Sequence, residues 1–348
     1  MAEQWKMVEA LTAGHPDKIC DQIADGLLDE FLRRDPATRA TIEVFASHGM
    51  LAVGGSAVSR ADFDTSIVAK NIHKEITGHD DVEVFVNMGL EAPTSAALMS
   101  SGSTVVNGYA TRETREFLPR PYVLAQALAK RLDDVRKTDP AYFWLRPHGK
   151  VQVLCQGKRL VSVTLLLEHS DETSGTHVRE AVRRDVLEPV IGDLSGVALH
   201  VNPYGRYRGG ECVHASGATG SKIANDTYGG LIPHGLSSIS GKDPFSPNRA
   251  GAYAARQAAK SLVEGGFTPN TLVSVGYTLG QAEPVFVQAL GANGQDFSDL
   301  IKKHFDFRPE AIVEHLGLAR PMYRALSCYG HFGRFGLPWE EAVPLVTK

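Results

Sequence analysis

The amino-acid sequence predicts an α/β fold (α+β) of three related subdomains, each built from a mixed sheet and helices. The first observation behind this prediction is an order of helix, strand, strand, helix and strand that recurs along the 348 residues. The second is that helices begin near residues 16, 121 and 253, a spacing too wide for a solenoid. Because helices would cover one face of each sheet, we expect the three sheets to share a centre.

The first copy of this pattern begins with a helix over residues 16–34. Its apolar side chains recur at the three- to four-residue spacing of one helix face. Strand-like apolar runs follow this helix. The rest of the copy consists of strands at 41–47 and 51–58, a helix near 62–77 and a strand at 82–88.

The second and third copies repeat the order. The second has a helix at 121–137, strands at 150–155 and 160–167, a helix around 178–186 and a strand at 197–201. The third has a helix at 252–264, strands at 271–278 and 284–289 and a helix near 297–305, without an obvious last strand. The predicted subdomains are residues 1–110, 118–205 and 206–348.

Long loops rich in glycine, serine, proline and histidine separate the copies. They span residues 93–108, 203–220 and 228–248. Loops of this length inside a compact protein usually serve a site. We therefore expect the chemistry to lie in these loops and at residues 14–18.

Composition excludes several classes of protein. Hydrophobic residues make up 43% of the chain and charged residues 22%, which is typical of a globular protein. A net charge of −4 argues against a nucleic-acid partner. No apolar run reaches the length of a membrane span, and the N-terminus does not resemble a secretory signal. The separated Cys20, Cys155, Cys212 and Cys328 argue against disulfides, so we expect a cytoplasmic protein without a membrane partner.

Residues 14–18, Gly-His-Pro-Asp-Lys, precede and open the first helix. One interpretation is a well-capped helix, because proline suits the first turn and aspartate favours the positive helix end. The other is an anion site beside a metal. His15 would then contact phosphate, Asp17 would hold Mg²⁺ and Lys18 would add positive charge.

Two loops combine glycine with lysine, at residues 217–222 and 240–244. Small residues let backbone N–H groups approach phosphate oxygens, and Lys222 and Lys242 supply charge. Neither loop is a Walker motif, and a simple turn is the alternative. Lys150 opens a strand and is either solvated or a ligand of an anion.

Tyr207 either stacks on a base or packs in the core. His169, His177 and His200 have no spacing that indicates a metal site.

Taken together, several motifs resemble the S-adenosylmethionine synthetase (methionine adenosyltransferase) family. They occur in order at residues 14–22, 226–230, 240–244, 253–256, 282–284, 305–309, 329–334 and 338–340. The resemblance therefore covers almost the whole chain. It implies three subdomains around a pseudo-threefold axis and a homodimer or homotetramer with shared active sites.

The resemblance also implies the reaction. The sulfur of methionine attacks C5′ of ATP and expels tripolyphosphate, which is then hydrolysed to phosphate and pyrophosphate. A thioether has no proton to lose, so the transfer requires no general base. The leaving group carries about four negative charges, so catalysis depends on positioned cations and metal ions.

The family's site residues carry over to matching positions. Asp17 resembles the Mg²⁺ ligand, Glu43 the K⁺ ligand and Tyr207 the aromatic residue that stacks on adenine. The nucleotide- and phosphate-binding set implied by the resemblance is His15, Lys18, Lys150, Tyr207, Lys222, Lys242 and Asp243. Its catalytic members are His15, Lys150 and Lys242.

The acceptor pocket departs from the family pattern. Ser56 replaces a glutamate that binds the methionine amino group, and Ser246 replaces a lysine that holds its carboxylate. Residues 100–107, which include Gly102, replace a segment with a methionine-contacting aspartate. The loop before this segment, which is a mobile gate in the family, is also shorter in this chain. We therefore expect a remodelled pocket at Ser56, Gly102 and Ser246.

Further departures affect the nucleotide. His148 and Ala215 replace two ribose-binding aspartates, Ser221 replaces a phosphate-binding arginine, and Asn248 replaces the second metal-ligand aspartate. The retained cations nevertheless favour chemistry on a nucleoside polyphosphate.

Three hypotheses fit these observations. The chain is an adenosyltransferase that acts on ATP and methionine through a rebuilt pocket. Alternatively, it uses the same chemistry with a different small-molecule acceptor in specialised metabolism. The third hypothesis is a non-catalytic nucleotide-binding partner of a synthetase.

Overall fold

The computed structural model describes residues 4–92, 102–208, 215–235 and 237–346. These residues contain eleven strands and nine α-helices. The strands are β1 (Trp5–Leu11), β2 (Arg39–Ser47), β3 (Met50–Val58), β4 (Glu83–Glu91), β5 (Thr104–Thr111), β6 (Leu145–Gln156), β7 (Arg159–His169), β8 (Ala198–Val201), β9 (Ser216–Ala218), β10 (Asn270–Tyr277) and β11 (Phe286–Gly291). The helices are α1 (Pro16–Arg34), α2 (Thr65–Thr77), α3 (Arg120–Thr138), α4 (Gly175–Val182), α5 (Glu188–Ile191), α6 (Ile223–Thr227), α7 (Pro247–Glu264), α8 (Ser298–His304) and α9 (Pro309–Leu316).

The strands form three sheets, with orders β1-β6-β7-β8, β4-β3-β2-β9 and β11-β10-β5. Parallel pairing of β3 with β4 and of β7 with β8 makes two of the sheets mixed, whereas the third is antiparallel. The predicted α+β class with three related parts is confirmed.

Each sheet also contains one strand from a distant part of the chain. β1 pairs antiparallel with β6, from Trp5 opposite Gln156 to Leu11 opposite Lys150. In the same way, β9 pairs with β2 and β5 pairs with β10. The three parts are therefore interlocked rather than strung in a row.

Two of these distant strands, β5 and β9, lie in segments that the sequence predicts to be loops. Of the loop 93–108, residues 93–101 lie outside the described residues and 104–108 belong to β5. Of the loop 203–220, residues 209–214 lie outside the described residues and 216–218 form β9. The loop predictions were wrong at these strands, because a strand whose partner lies far away in the sequence has no hairpin signal beside it.

One long helix covers each sheet: α1 packs on β2, α3 on β1 and β6, and α7 on β5 and β10. α1 and α7 are buried along most of their length. Charged side chains on these helices are consequently buried too, and they need counter-charges. Arg249 of α7, for example, lies 2.5 Å from a carboxylate oxygen of Asp25 on α1.

Aromatic side chains are exposed on strands of all three sheets. Trp5 on β1 is 55% exposed, Phe85 on β4 is 55% exposed and Phe286 on β11 is 45% exposed. On one of these sheets Phe85 has an exposed neighbour, because Phe45, which is 44% exposed, lies in the same row across β2, β3 and β4. Neighbouring exposed apolar residues indicate a contact surface. Among the helices of the described ranges, none has the length and apolar character needed to span a membrane.

Candidate active site

At the start of α1, segments from two other parts of the chain come together. A Cβ atom on Gly14 would lie 2.2 Å from Cβ of Pro147, and one on Gly217 would lie 2.3 Å from the carbonyl carbon of Pro16. Only glycine permits both approaches. They bring residues 147–150 and 216–222 beside the first turn of α1.

His15 is the N-cap residue of α1, and its Nδ1 accepts a hydrogen bond of 3.3 Å from the backbone N–H of Asp17. Burial, followed by the nearby His148, Lys150 and Lys222, lowers the pKa of His15 to about 2. The ring is therefore neutral near pH 7. Since Nδ1 is an acceptor, the proton lies on Nε2, which is available as a donor to an anion.

One lysine–carboxylate pair lies beside His15, and a second includes a residue of β2. Nζ of Lys222 is 2.9 Å from Oδ2 of Asp17, and Nζ of Lys242 is 2.7 Å from Oε1 of Glu43. Thr219 links the two pairs, because it lies between β9 and Lys222 and is bonded to Val44, the neighbour of Glu43 on β2. The backbone N–H of Thr219 donates to the carbonyl of Val44, and its Oγ1 accepts a hydrogen bond from the N–H of Val44. The predicted phosphate lysines and metal carboxylates are thus brought together.

Lys150 completes the cation group from the neighbouring sheet. It is the first residue of β6 that pairs with β1, opposite Leu11, and its Nζ lies 4.0 Å from Oε1 of Glu9. Lys150 is also close enough to His15 to lower its pKa. Sequence reasoning did not single out Glu9, whose only signal is its place on the strand paired with β6.

Lys18 does not belong to this group, which corrects the sequence-based prediction. Its side chain is fully buried, and Nζ lies 2.7 Å from Asp21 and 2.5 Å from Asp226. Burial alone would lower the pKa of Lys18, but these two carboxylates outweigh it and raise that pKa. Lys18 is a structural cation that ties α1 to α6.

Asp243 also has a supporting position. One of its carboxylate oxygens accepts hydrogen bonds from the N–H groups of Phe245 and Ser246, and the other accepts one from Ala40. Because both oxygens are used inside the protein, Asp243 positions the loop of Lys242. Its predicted contact with the nucleotide has no support in this geometry.

Tyr207 lies on a different wall of the site. Its ring centroid is 5.4 Å from that of His148, whose own ring is 5.1 Å from His15. Both ring nitrogens of His148 and Oε2 of Glu168 are buried without a hydrogen-bond partner, and Nδ1 lies 3.7 Å from that oxygen. Buried polar atoms without partners are rare, so this wall is suited to a polar ligand. Sequence reasoning overlooked Glu168.

The predicted acceptor residues occupy two regions. Ser56 on β3 pairs with Thr41 on β2, and Thr41 forms a bridge with Lys242. Ser246 is buried at the start of α7, where its Oγ accepts a hydrogen bond of 3.5 Å from Asn248. Both serines therefore lie near Lys242.

Gly102 belongs to a different region of the fold. It lies two residues before β5, which is a strand of the third sheet. Ser100 and Ser101, which belong to the same predicted pocket segment, lie outside the described residues.

The donor set fits a metal that arrives with its own oxygen ligands. In the part of the chain that the structure describes, no group of three or more histidine, cysteine, aspartate and glutamate side chains is placed to hold a metal ion. Asp17 and Glu43 are instead single carboxylates beside lysines. Mg²⁺ in polyphosphate sites takes one or two carboxylates and completes its shell with phosphate and water.

Interlocked α/β parts and a lysine- and histidine-rich site at their meeting point are suited to an enzyme that binds a polyanionic substrate. Comparison with known proteins gives the family. Residues 4–95, 100–207 and 209–341 match the N-terminal, central and C-terminal domains of S-adenosylmethionine synthetase. The chain belongs to the S-adenosylmethionine synthetase family, whose members are metal-dependent enzymes.

Similar proteins share nearly the full length of the chain. The S-adenosylmethionine synthase of Aquifex aeolicus is 36% identical over 370 residues, covering 98% of this chain and 97% of that protein. The enzyme of the same name from Sorangium cellulosum is 36% identical, covering 96% and 86%. That of a Sulfurovum species is 34% identical, covering 96% and 94%.

Replacing Lys18 with alanine should destabilise the protein by about 3–5 kcal/mol, because it leaves Asp21 and Asp226 buried without their cation. Urea unfolding of the purified variant measures this loss. The control is Lys74→Ala, which removes only an exposed pair with Asp80 and should leave stability nearly unchanged. Equal stability of the two variants would contradict the structural role of Lys18.

Proposed function

We propose that this protein makes S-adenosylmethionine from ATP and methionine. The observation that carries the proposal is the group of His15, Lys150 and Lys222 at the start of α1, together with Lys242, which is paired with Glu43 on β2. The relatives named S-adenosylmethionine synthase, which match along nearly the whole chain, disfavour a different acceptor and a non-catalytic partner. A scaffold protein would not need four such residues at one point.

The polyphosphate of ATP is the part of the substrate that this cluster suits. Lys150, Lys222 and Lys242 supply positive charge, and neutral His15 donates from Nε2 without adding charge. Charge on the leaving group grows as the C5′–O bond breaks, so donors fixed in advance stabilise the transition state more than the ground state. The methionine sulfur needs no base, which agrees with a site where the nearest carboxylates are already paired.

Metal ions complete this charge balance. Asp17 would hold Mg²⁺ and Glu43 would hold K⁺, each together with phosphate oxygens. When bound, the metal ions neutralise the polyphosphate and align the leaving group. The backbone N–H of Ala218 fixes one oxygen of Asp17 at 2.9 Å, so its other oxygen keeps a defined direction.

The adenosine part of ATP would occupy the wall that carries Tyr207. The tyrosine ring offers a face for adenine. His148 stands between Tyr207 and His15, and Glu168 adds a carboxylate behind it. These two residues supply polar atoms on a wall where the family's aspartates are absent.

Methionine would bind near Ser56 and Ser246, which lack the charges of the residues they replace. Hydrogen bonds to a charged group contribute about 1.5–3 kcal/mol each, so we propose that this protein binds methionine more weakly than a pocket with both charges does. Glu43 lies on the same face of the sheet as Ser56, two residues along β2 from its partner Thr41. A carboxylate introduced at position 56 would therefore lie on this face as well.

Further parts of the proposal concern assembly and location. Phe45 and Phe85 lie in one row across β2, β3 and β4, because Phe45 pairs with Ala52 and Ala52 with Phe85. Glu43 shares this exposed face, so a second copy docked here would meet the site. We therefore propose a homodimer or homotetramer that forms through this face. We also propose the subdomains 1–110, 118–205 and 206–348 and a cytoplasmic location.

Lys242→Ala should lower kcat for S-adenosylmethionine formation by about 10²–10³, because it removes one fixed cation from the leaving group. Mass spectrometry of the product, with ATP, methionine, Mg²⁺ and K⁺ present, measures the rate. Lys158→Ala removes an exposed lysine of a turn and should retain the rate. Unchanged turnover in Lys242→Ala would rule out the phosphate role of this lysine.

Ser56→Glu should lower KM for methionine about tenfold and leave KM for ATP unchanged, since it restores a carboxylate for the ammonium group. Initial rates over a methionine series measure both constants. Ser195→Glu adds the same charge at a distant exposed turn and serves as the control. A higher KM for methionine in Ser56→Glu would place the amino group elsewhere.

Phe85→Asp should dissociate the oligomer, because a charge in an apolar contact surface loses its hydration on assembly. Sedimentation velocity at several concentrations gives the mass in solution. Phe143→Asp changes a phenylalanine outside the sheets that is more exposed than Phe85, at 78% against 55%, and the assembly should persist in this variant. An oligomer that survives Phe85→Asp would exclude this face.

A further inference from the structure

The two lysine–carboxylate pairs neutralise the site before any ligand is bound. Lys222 is paired with Asp17 at 2.9 Å and Lys242 with Glu43 at 2.7 Å. The side chains of Asp17 and Lys242 are 10% and 11% exposed, whereas those of their partners Lys222 and Glu43 are 33% and 49% exposed. Each pair is therefore partly buried, and water screens it less than it screens a pair in which both members are exposed. The four groups that a metal and a polyphosphate would use are therefore occupied by one another.

Metal-free polyphosphate faces an unfavourable exchange at these pairs. To bind, its oxygens must take Lys222 and Lys242 away from Asp17 and Glu43. The displaced carboxylates then remain in the site, close to the negative charge of the ligand, and like charges at this distance repel. Each lysine gains one anionic partner only by losing another.

A polyphosphate that carries its metal ions faces a different exchange. The carboxylates turn to the cations, the lysines turn to the phosphate oxygens, and each of the four groups still has an opposite charge. We propose that Asp17 and Glu43 make the site selective for metal-bound polyphosphate by holding Lys222 and Lys242 against the metal-free form. This inference rests on the proposed function, because it takes polyphosphate as the ligand.

The local structure allows such an exchange without refolding. Asp17 is anchored through its other oxygen by the N–H of Ala218. The backbone carbonyl of Lys242 accepts a hydrogen bond of 2.7 Å from buried Arg249, so the main chain of its loop is fixed. Only side-chain rotations at Lys222 and Lys242 are then required.

The test is isothermal titration of inorganic tripolyphosphate into the full-length protein. In a metal-free arm, the buffer contains a chelator and tetramethylammonium in place of K⁺; in the other arm it contains Mg²⁺ and K⁺ at the same ionic strength. The natural protein should bind at least tenfold more tightly with the metal ions. Equal binding in the two arms would overturn the proposal.

Removing the charge of either carboxylate should strengthen the binding of metal-free tripolyphosphate. Glu43→Gln and Asp17→Asn should each bind metal-free tripolyphosphate about tenfold more tightly than the natural protein, because the lysine is released. The same variants should gain less from the metal ions. Unchanged or weaker metal-free binding in both variants would also overturn the proposal.

Glu83→Gln is the matched control, since it removes an exposed carboxylate from the same sheet without touching a lysine of the site. It separates the pair effect from a general change in net charge, and tighter metal-free binding in this variant would overturn the proposal. Circular dichroism checks that each variant is folded. Because the titration involves no methionine, its outcome is independent of product formation. S-adenosylmethionine made by a protein that fails the titration would leave the proposed function intact.

Discussion

The buried ion pair of Lys18 with Asp21 and Asp226 is the interaction on which the site depends. It joins α1 to α6 in the interior, where neither element can shift without separating charges from their partners. His15 and Asp17 begin α1, and Lys222 directly precedes α6. The distance between the proposed anion-binding and metal-binding residues is therefore set by a contact that lies outside the proposed site.

Interlocking of the sheets supplies the rest of the geometry. Lys150 begins the part of β6 that pairs with β1, and Glu43 lies on β2, which pairs with β9. Because every sheet borrows a strand from another part of the chain, a residue of one subdomain is fixed against residues of another. The site is thus assembled from regular secondary structure, and the loops that carry Lys222 and Lys242 extend only a few residues from it.

Much of this arrangement could be predicted from the sequence. The helix at 16–34 was predicted with its observed bounds, because its apolar spacing and its Gly-His-Pro-Asp-Lys start are both local signals. β5 and β9 were missed, since a strand stabilised by a distant partner has no signal in its own neighbourhood. Lys18 was assigned to phosphate because a lysine beside His15 and Asp17 carries no mark of burial, and Asp226 lies far away in the sequence. The buried polar atoms of His148 and Glu168 that lack hydrogen-bond partners could not be predicted, because the two residues come together only when β6 pairs with β7.

The borrowed strands have a consequence for how the chain is made. β1 is synthesised first, but it has no partner until residues 145–156 have left the ribosome. β2 likewise waits for β9 before its sheet is complete, and β5 waits for β10. During synthesis, three sheets are incomplete at different times. Each then has an unpaired strand edge, and such an edge is a site at which a neighbouring chain can pair. Native folding is complete only after the last sheet closes, so this protein matures as one unit rather than from its beginning to its end.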